Sequence, residues 1–203
     1  CTRCCLDLAR GKEYAGPDSA HEFVRSRRQR RCTDDGNLGL GVPVAKLGFL
    51  ESELRAKRDA GKKLLVPYIT GGLDGWLDAI RAAAANGADA IEIGIPFSDP
   101  VMDGPIIQLA SQKALDTGAT PMSILNDLRQ VDVSIPLAVM CYYNTIHNAG
   151  HERFANALAE AGVCAAIVPD LPLEESGPWC KAADAAGIET VMLAAPTAPD
   201  ERL

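Results

Sequence analysis

Three carboxylates that lie close together in the chain are the feature of this sequence that could support chemistry. Glu92 stands inside an apolar run that is typical of a buried strand, and Asp99 and Asp103 follow it in a loop punctuated by prolines. Because alternate side chains of a strand share a face, Glu92 and Gly94 lie opposite the isoleucines of that run. A carboxylate on an apolar strand is unfavourable unless it is paired or neutral. The spacing therefore predicts an acid/base site: one buried glutamate, with one or two aspartates arriving over it at the strand's C-terminal end.

The segments around these carboxylates alternate between short apolar runs and helical stretches that often end at glycine. Such alternation predicts a parallel sheet built from strand–helix units. The predicted strands cover residues 64–70, 89–95, 135–142, 165–170 and 189–195, and the predicted helices cover 47–63, 75–85, 104–116, 121–130, 150–161 and 174–186. A further helix is predicted to open at Pro199. By pattern alone, both a (β/α)8 barrel and a smaller doubly wound sheet agree with this order.

The run I-E-I-G-I-P-F-S-D-P-V-M-D-G-P at residues 91–105 resembles the signature of the tryptophan synthase alpha subunit family, without a gap. The similarity continues through residues 65–70, 142–144 and 168–176, and it covers about residues 47–203. It implies an α/β fold, the (β/α)8 TIM barrel. Because such a barrel takes roughly 250 residues, we expect residues 43–203 to form a partial barrel. This part would hold a preceding helix and about the first five strands and four helices.

The resemblance implies a lyase of tryptophan biosynthesis, which cleaves indole-3-glycerol phosphate to indole and glyceraldehyde 3-phosphate. The scission needs an acid at indole carbon 3, an acceptor for the ring N–H and a base for the side-chain hydroxyl. Glu92 matches the family's catalytic glutamate; alternatively, it is a polar residue of the barrel interior held by hydrogen bonds. Its expected neighbours, Gly94, Tyr68 and Met140, should raise its pKa. Asp103 matches the second catalytic carboxylate, the acceptor for the ring N–H; alternatively, it caps the helix that begins near residue 104.

A substrate pocket on the strands beside Glu92 is implied by the same resemblance. The matching residues are Tyr68, Thr70, Met140 and Tyr142. Core packing is the alternative for Met140. The substrate's phosphate is expected to rest on backbone N–H groups at a helix N-terminus. The family's glycines for this phosphate follow strands 7 and 8, which the five predicted strands do not include.

The resemblance also implies a partner, the beta subunit of tryptophan synthase, in a heterotetramer of two alpha and two beta subunits. The residues that match positions near this interface are Asp99, Asp170 and Pro172, and turn chemistry is the alternative for Asp99. Pyridoxal phosphate (PLP) belongs to the beta subunit, and we expect no cofactor and no metal on this chain. Two other functions stay open. One is a non-catalytic fragment that keeps only the beta-binding surface, and the other is a different phosphate-sugar barrel enzyme, against which the pair of Glu92 and Asp103 argues.

Composition bounds the class of protein. The chain has 203 residues, of which 47% are hydrophobic and 23% are charged, as is ordinary for a globular domain. Its formal net charge is −7, and the acidic body after residue 42 argues against nucleic acid as a partner. No apolar run approaches the roughly 18 residues of a membrane span, and we expect a cytoplasmic location. The single, scattered Cys141, Cys164 and Cys180 are predicted to be reduced core thiols.

Residues 1–42 differ from the rest of the chain, because they contain a basic run at 25–31 and no apolar periodicity. Cys1, Cys4, Cys5 and Cys32 with His21 fit no paired spacing of zinc ligands, and six acidic residues argue against a transit peptide. We expect a disordered extension or a segment foreign to the natural protein. A sheet of five barrel strands has two unpaired edges, so we also expect the chain to be poorly stable and inactive by itself.

Overall fold

A computed structural model describes residues 47–194 of the chain, which form one parallel sheet and the helices that connect its strands. The predictions for residues 1–42 and for a helix at Pro199 lie outside the described residues. The strands are β1 (Tyr68–Thr70), β2 (Ile91–Gly94), β3 (Leu137–Met140), β4 (Ala165–Ile167) and β5 (Glu189–Val191). The helices are α1 (Phe49–Asp59), α2 (Trp76–Ala85), α3 (Pro105–Asp116), α4 (Pro121–Leu128), α5 (Tyr143–Ala149), α6 (His151–Glu160) and α7 (Gly177–Ala186), with a 3-10 turn at Leu173–Glu175.

The strands stand in the order β1-β2-β3-β4-β5, and each one pairs in parallel with the next one in sequence. A doubly wound sheet reverses its strand order at a switch point, and the described sheet has no such reversal. The order is that of successive units of a (β/α)8 barrel. The α/β class predicted from the sequence is therefore confirmed, and the doubly wound alternative was wrong.

The two faces of the sheet have different contents. The outer face packs on the connecting helices, so that Ile91 and Ile93 share a core with Phe154 of α6 and Trp179 of α7. At one end the inner face carries small side chains, and α1 covers that end. This second cluster consists of Ala90, Ala138, Ala165 and Val191 with Leu50 and Leu54 of α1. Because Glu92 follows Ala90 by two positions, it lies on the inner face as well.

The strands are shorter than the sequence predicts. A strand was predicted over residues 64–70, but the ladder begins at Tyr68, and Leu65 is exposed. The backbone N–H of Leu65 donates to the Asp89 carboxylate (2.7 Å), and the Leu65 carbonyl accepts the N–H of Asp89 (2.8 Å), so this segment is held by one residue ahead of β2. An apolar run cannot distinguish a strand from an extended segment at the edge of a sheet, because both are equally hydrophobic.

Two helical segments also differ from the prediction. Residues 143–149 form α5, where no helix was predicted, and the helix predicted over 174–186 is a 3-10 turn followed by α7. The sequence of α5, Y-N-T-I-H-N-A, consists mainly of weak helix formers. Its first N–H is satisfied by the Asp170 carboxylate, a distant contact that local propensity cannot indicate. Within residues 47–194, none of the helices has the length and apolar character that crossing a bilayer requires.

Candidate active site

Glu92 is the central residue of the candidate site. It lies half-buried in the middle of β2, and its partner in the parallel register with β1 is Tyr68. Burial is the largest cause that raises the pKa of its carboxyl group, and the negative charge of Asp103 raises it further. The raised pKa predicted from the sequence is confirmed. Such a group keeps a larger protonated fraction near neutral pH than an exposed glutamate does, which suits a proton donor.

Asp103 lies at the end of the loop that joins β2 to α3. Its charge raises the pKa values of Glu92, Tyr68 and Tyr142, so the fold brings these four groups together. The alternative that Asp103 caps the helix was wrong, because α3 begins at Pro105, Gly104 is its N-cap residue, and no side chain caps it. A proline in the first turn needs no partner for its missing N–H. The Asp103 carboxylate is therefore not used by the helix.

Tyr68 and Thr70 form the wall of the site on β1. Burial, followed by the charge of Asp103, raises the pKa of Tyr68 to about 12, and a hydrogen bond with the Thr70 side chain opposes this shift. The ring of Tyr68 lies over Gly94, where a Cβ atom would collide with the phenol oxygen. Gly94 is needed here for the close approach of an aromatic side chain rather than for its backbone angles.

Met140 and Tyr142 approach the site from the end of β3. Met140 is buried and pairs in register with Gly94, which agrees with pocket lining and with core packing alike. Tyr142 is only 2% exposed, and its ring stacks on Phe97 with the ring centroids 5.0 Å apart. The backbone N–H of Met102 donates to its hydroxyl oxygen (3.0 Å). The four residues predicted for the substrate pocket therefore surround one region of the inner face, and their contact with substrate stays a prediction.

The three residues predicted for an interface lie in the loops that follow β2 and β4. Asp99 is exposed in the loop after β2 and accepts a hydrogen bond from the Ser98 hydroxyl (2.6 Å). This local contact agrees with the alternative that Asp99 stabilises a turn. Asp170 is half-buried, and its carboxylate accepts the N–H of Tyr143 (2.8 Å). Pro172 is exposed. The interface role of these residues stays a prediction, and Asp170 has in addition an intramolecular role as a cap for α5.

The sequence did not indicate the contacts that hold the loop after β2. Phe97 belongs to the signature run and was readable as an aromatic residue at a strand end, but its stacking on Tyr142 was not. A groove beside the same loop is lined by Phe97, Ser98, Pro100, Pro105, Gln108, Leu109 and Gln112, and it includes neither catalytic candidate. Within residues 47–194, no cluster of three or more metal-ligating side chains occurs, and Cys141, Cys164 and Cys180 are free thiols.

Comparison with known proteins places these observations in a family. A family model described as "Tryptophan synthase alpha chain" matches residues 54–203. The tryptophan synthase alpha chain of Thermobifida fusca is 44% identical over 158 residues, and the match covers 76% of this chain and 58% of that protein. The corresponding protein of Streptomyces coelicolor is 40% identical over 160 residues, with 76% and 59% covered. The chain thus spans less than two thirds of the length of these relatives.

Solved structures agree with the sequence comparison. The crystal structure of tryptophan synthase subunit alpha from Legionella pneumophila superposes with a TM-score of 0.72 at 34% identity, over 77% of this chain and 62% of that one. A chain of tryptophan synthase from M. tuberculosis, in an open form with BRD0059 bound, superposes with a TM-score of 0.73 at 30% identity, over 77% and 65%.

Proposed function

The chain belongs to the tryptophan synthase alpha chain family, and from this we propose that the complete protein that carries it is a lyase of tryptophan biosynthesis. Its substrate is indole-3-glycerol phosphate, and its products are indole and glyceraldehyde 3-phosphate. The observation that carries the proposal is the cluster on the inner face of the sheet, where the Glu92 carboxyl, with a raised pKa, lies within the electrostatic reach of Asp103.

Glu92 is the proton donor in this proposal. A protonated carboxyl group delivers its proton to carbon 3 of the indole ring. The Glu92 carboxylate that remains then takes the proton of the substrate's side-chain hydroxyl, the carbon–carbon bond breaks, and its electrons return to the ring, so that an aldehyde and indole are released. Burial favours the neutral acid before the transfer. Positive charge develops on the ring nitrogen during this step, and the Asp103 carboxylate, which the helix does not use, accepts the ring N–H. The apolar parts of Tyr68, Met140 and Tyr142 line the pocket for the ring, together with Thr70.

The proposal includes the partner as well. The beta subunit of tryptophan synthase docks near Asp99, Asp170 and Pro172, in a cytoplasmic heterotetramer of two alpha and two beta subunits. PLP is bound by the beta subunit, and this chain needs no cofactor for the cleavage, since a carboxylic acid and a carboxylate supply the proton transfer and the charge stabilisation. The membership of the family and the tryptophan synthase structures that resemble the chain support this part.

Release of indole from indole-3-glycerol phosphate by the complete protein, with its beta partner present, is the test. Glu92→Gln keeps the shape of the side chain and removes its acidic proton, so turnover should fall by about 100-fold or more. Asp103→Asn removes the negative charge offered to the ring N–H and should also lower turnover by about 100-fold. Asp132→Asn, at an exposed position between α4 and β3, is the control for a lost carboxylate.

Near-normal turnover of Glu92→Gln would overturn the assignment of the proton donor. If wild type itself releases no indole but still binds the beta subunit, the chain is a non-catalytic binding module and the lyase proposal fails.

A further inference from the structure

Tyr142 touches the loop that carries Asp103 at both ends. Its ring stacks on Phe97 at the start of the loop, with an interplanar angle of 24°. Its hydroxyl oxygen accepts the N–H of Met102, the residue immediately before Asp103 (3.0 Å). Phe97 and Met102 come from one connection of the sheet and Tyr142 from the next, so a single side chain links the ends of two neighbouring strands.

The backbone around Tyr142 is itself held firmly. The N–H of Cys141 donates to the carbonyl of Ile167 on β4 (3.1 Å), and the N–H of Tyr143 donates to the Asp170 carboxylate (2.8 Å). Tyr142 is the N-cap residue of α5 between these two bonds. The side chain is therefore anchored on a rigid part of the sheet, as a residue that orients another group must be.

The loop has little else to hold it. Val101 and Met102 are 76% and 57% exposed, although they are apolar. Ser98 bonds to Asp99 within the loop, and the carbonyl of Asp103 accepts from the side chain of Gln108 on α3 (2.9 Å). The bond from Met102 to Tyr142 ties the largely exposed stretch 98–102 to the sheet, and the Tyr142 side chain is hydrogen-bonded to Asp103 as well.

We propose that Tyr142 is a positioning residue for Asp103: its ring and its hydroxyl fix the loop so that the Asp103 carboxylate faces Glu92. The effect of Tyr142 on turnover rests on the proposed lyase function. The contacts of Tyr142 with Phe97 and Met102, called the clamp from here on, do not depend on that function. The raised pKa of Tyr142, due first to burial and also to the charge of Asp103, agrees with a hydroxyl that stays protonated beside that carboxylate. Displacing a catalytic group by about 1 Å can lower a rate about 100-fold, so a clamp of this kind matters for chemistry.

Hydrogen exchange tests the clamp without reference to any reaction. Tyr142→Phe keeps the ring that stacks on Phe97 and removes the hydroxyl oxygen. In the complete protein, the Met102 amide should exchange about 10-fold faster in this variant than in wild type, because it loses a hydrogen bond to a buried group. The Ile95 amide, which donates to the carbonyl of Met140 (2.9 Å), is the internal reference and should not change. Equal exchange of Met102 in both proteins overturns the clamp.

Kinetics then test whether the clamp acts through Asp103. Tyr142→Phe should lower kcat about 10-fold to 100-fold, with a smaller effect on KM, when Asp103 is present. In the Asp103→Asn background the same substitution should have little further effect, since the carboxylate that it positions is gone. A residue that serves only packing or direct contact with the substrate lowers turnover by the same factor in both backgrounds, and that result would overturn the positioning role. If the wild-type protein releases no indole, the lyase proposal fails. The exchange rate of the Met102 amide still tests the clamp in that case.

Discussion

The position of Glu92 lowers the stability of the fold when its carboxyl group is ionised. The carboxyl group is half-buried on the inner face of the sheet. The main cause of its raised pKa is that burial disfavours the charged form. The nearby charge of Asp103 works in the same direction. An uncharged side chain at this position would make the fold more stable than an ionised glutamate does. The proposed function explains why a glutamate stands here nevertheless.

The raised pKa of Glu92 predicts that the stability of the fold depends on pH. A group whose pKa is higher in the folded chain than in the unfolded chain stabilises the fold fully below its unfolded pKa, near 4.5, and loses that contribution as the pH rises through its folded pKa. Glu92→Gln cannot ionise, so its stability relative to wild type should increase between pH 4 and pH 8. Urea midpoints of the complete protein at both pH values measure this.

Glu152→Gln, at an exposed position of α6, is the control for the loss of a carboxylate. A relative stability of Glu92→Gln that stays constant or decreases with pH would contradict the burial argument.

At the scale of single residues, the properties with a local cause were predictable from the sequence. The raised pKa of Glu92 was predictable, because the apolar residues on either side of it in the chain indicate a buried strand. Whether Asp103 caps a helix or belongs to the site was not predictable, because the sequence pattern does not distinguish a helix that starts at residue 104 from one that starts at 105. The contact between Phe97 and Tyr142 was out of reach, since the two rings are brought together by the parallel pairing of β2 and β3.

Among the elements, α1 depends on a residue far away in the sequence. Gly48, its N-cap residue, has no side chain to offer. Instead, the carboxylate of Glu189, the first residue of β5, accepts the N–H groups of Leu50 (2.6 Å) and Glu51 (3.0 Å). A Cβ atom on residue 48 would collide with that carboxylate, so the glycine makes room for it. A helix N-terminus favours such a negative charge.

Loss of this cap should loosen α1 from the inner face. Glu189→Gln keeps an oxygen that can accept a hydrogen bond but removes the charge, and we expect it to lower the free energy of unfolding by about 0.5–2 kcal/mol. Denaturant unfolding of the complete protein measures the change, with Asp132→Asn as the exposed control of equal charge. Equal stabilities of Glu189→Gln and that control would refute a role of the carboxylate in capping α1.

The same contact illustrates what a sequence reveals about elements. The existence of the five strands follows from the alternation of apolar and helical segments, and the structure confirms it. Their order within the sheet followed from the family resemblance, because the pattern alone also allowed a doubly wound sheet. The helix predicted from residue 47 begins at Phe49, but the distant partner of its first N–H groups was not readable. The existence of α5 was not readable either, because a carboxylate from the loop after β4 satisfies its first N–H group. The bounds of helices are set partly by such distant partners, and local propensity does not contain them.

At the scale of the molecule, the described sheet is open. Within residues 47–194, β1 and β5 each pair with one neighbouring strand, so that each has an unpaired side. Large apolar side chains near these two edges are exposed, among them Leu65 at 57% and Leu193 at 57%. Unpaired edges and exposed apolar groups favour association with other chains. The relatives of known sequence are longer, since the matching part is 58% of the Thermobifida fusca protein.

A polypeptide of these 203 residues alone should therefore differ in solution from a relative of full family length. We expect it to bind an apolar dye, to self-associate in gel filtration and to release indole far more slowly than the complete protein, for which this activity is proposed. The physical reason is that Glu92 and Asp103 are present but substrate positioning, which can account for about 7–11 kcal/mol of a barrier, requires more of the barrel wall than five strands supply. A polypeptide that is monomeric, unfolds cooperatively and turns over as fast as the complete protein would contradict this view, and it would mean that β1 to β5 with α1 suffice for the proposed reaction.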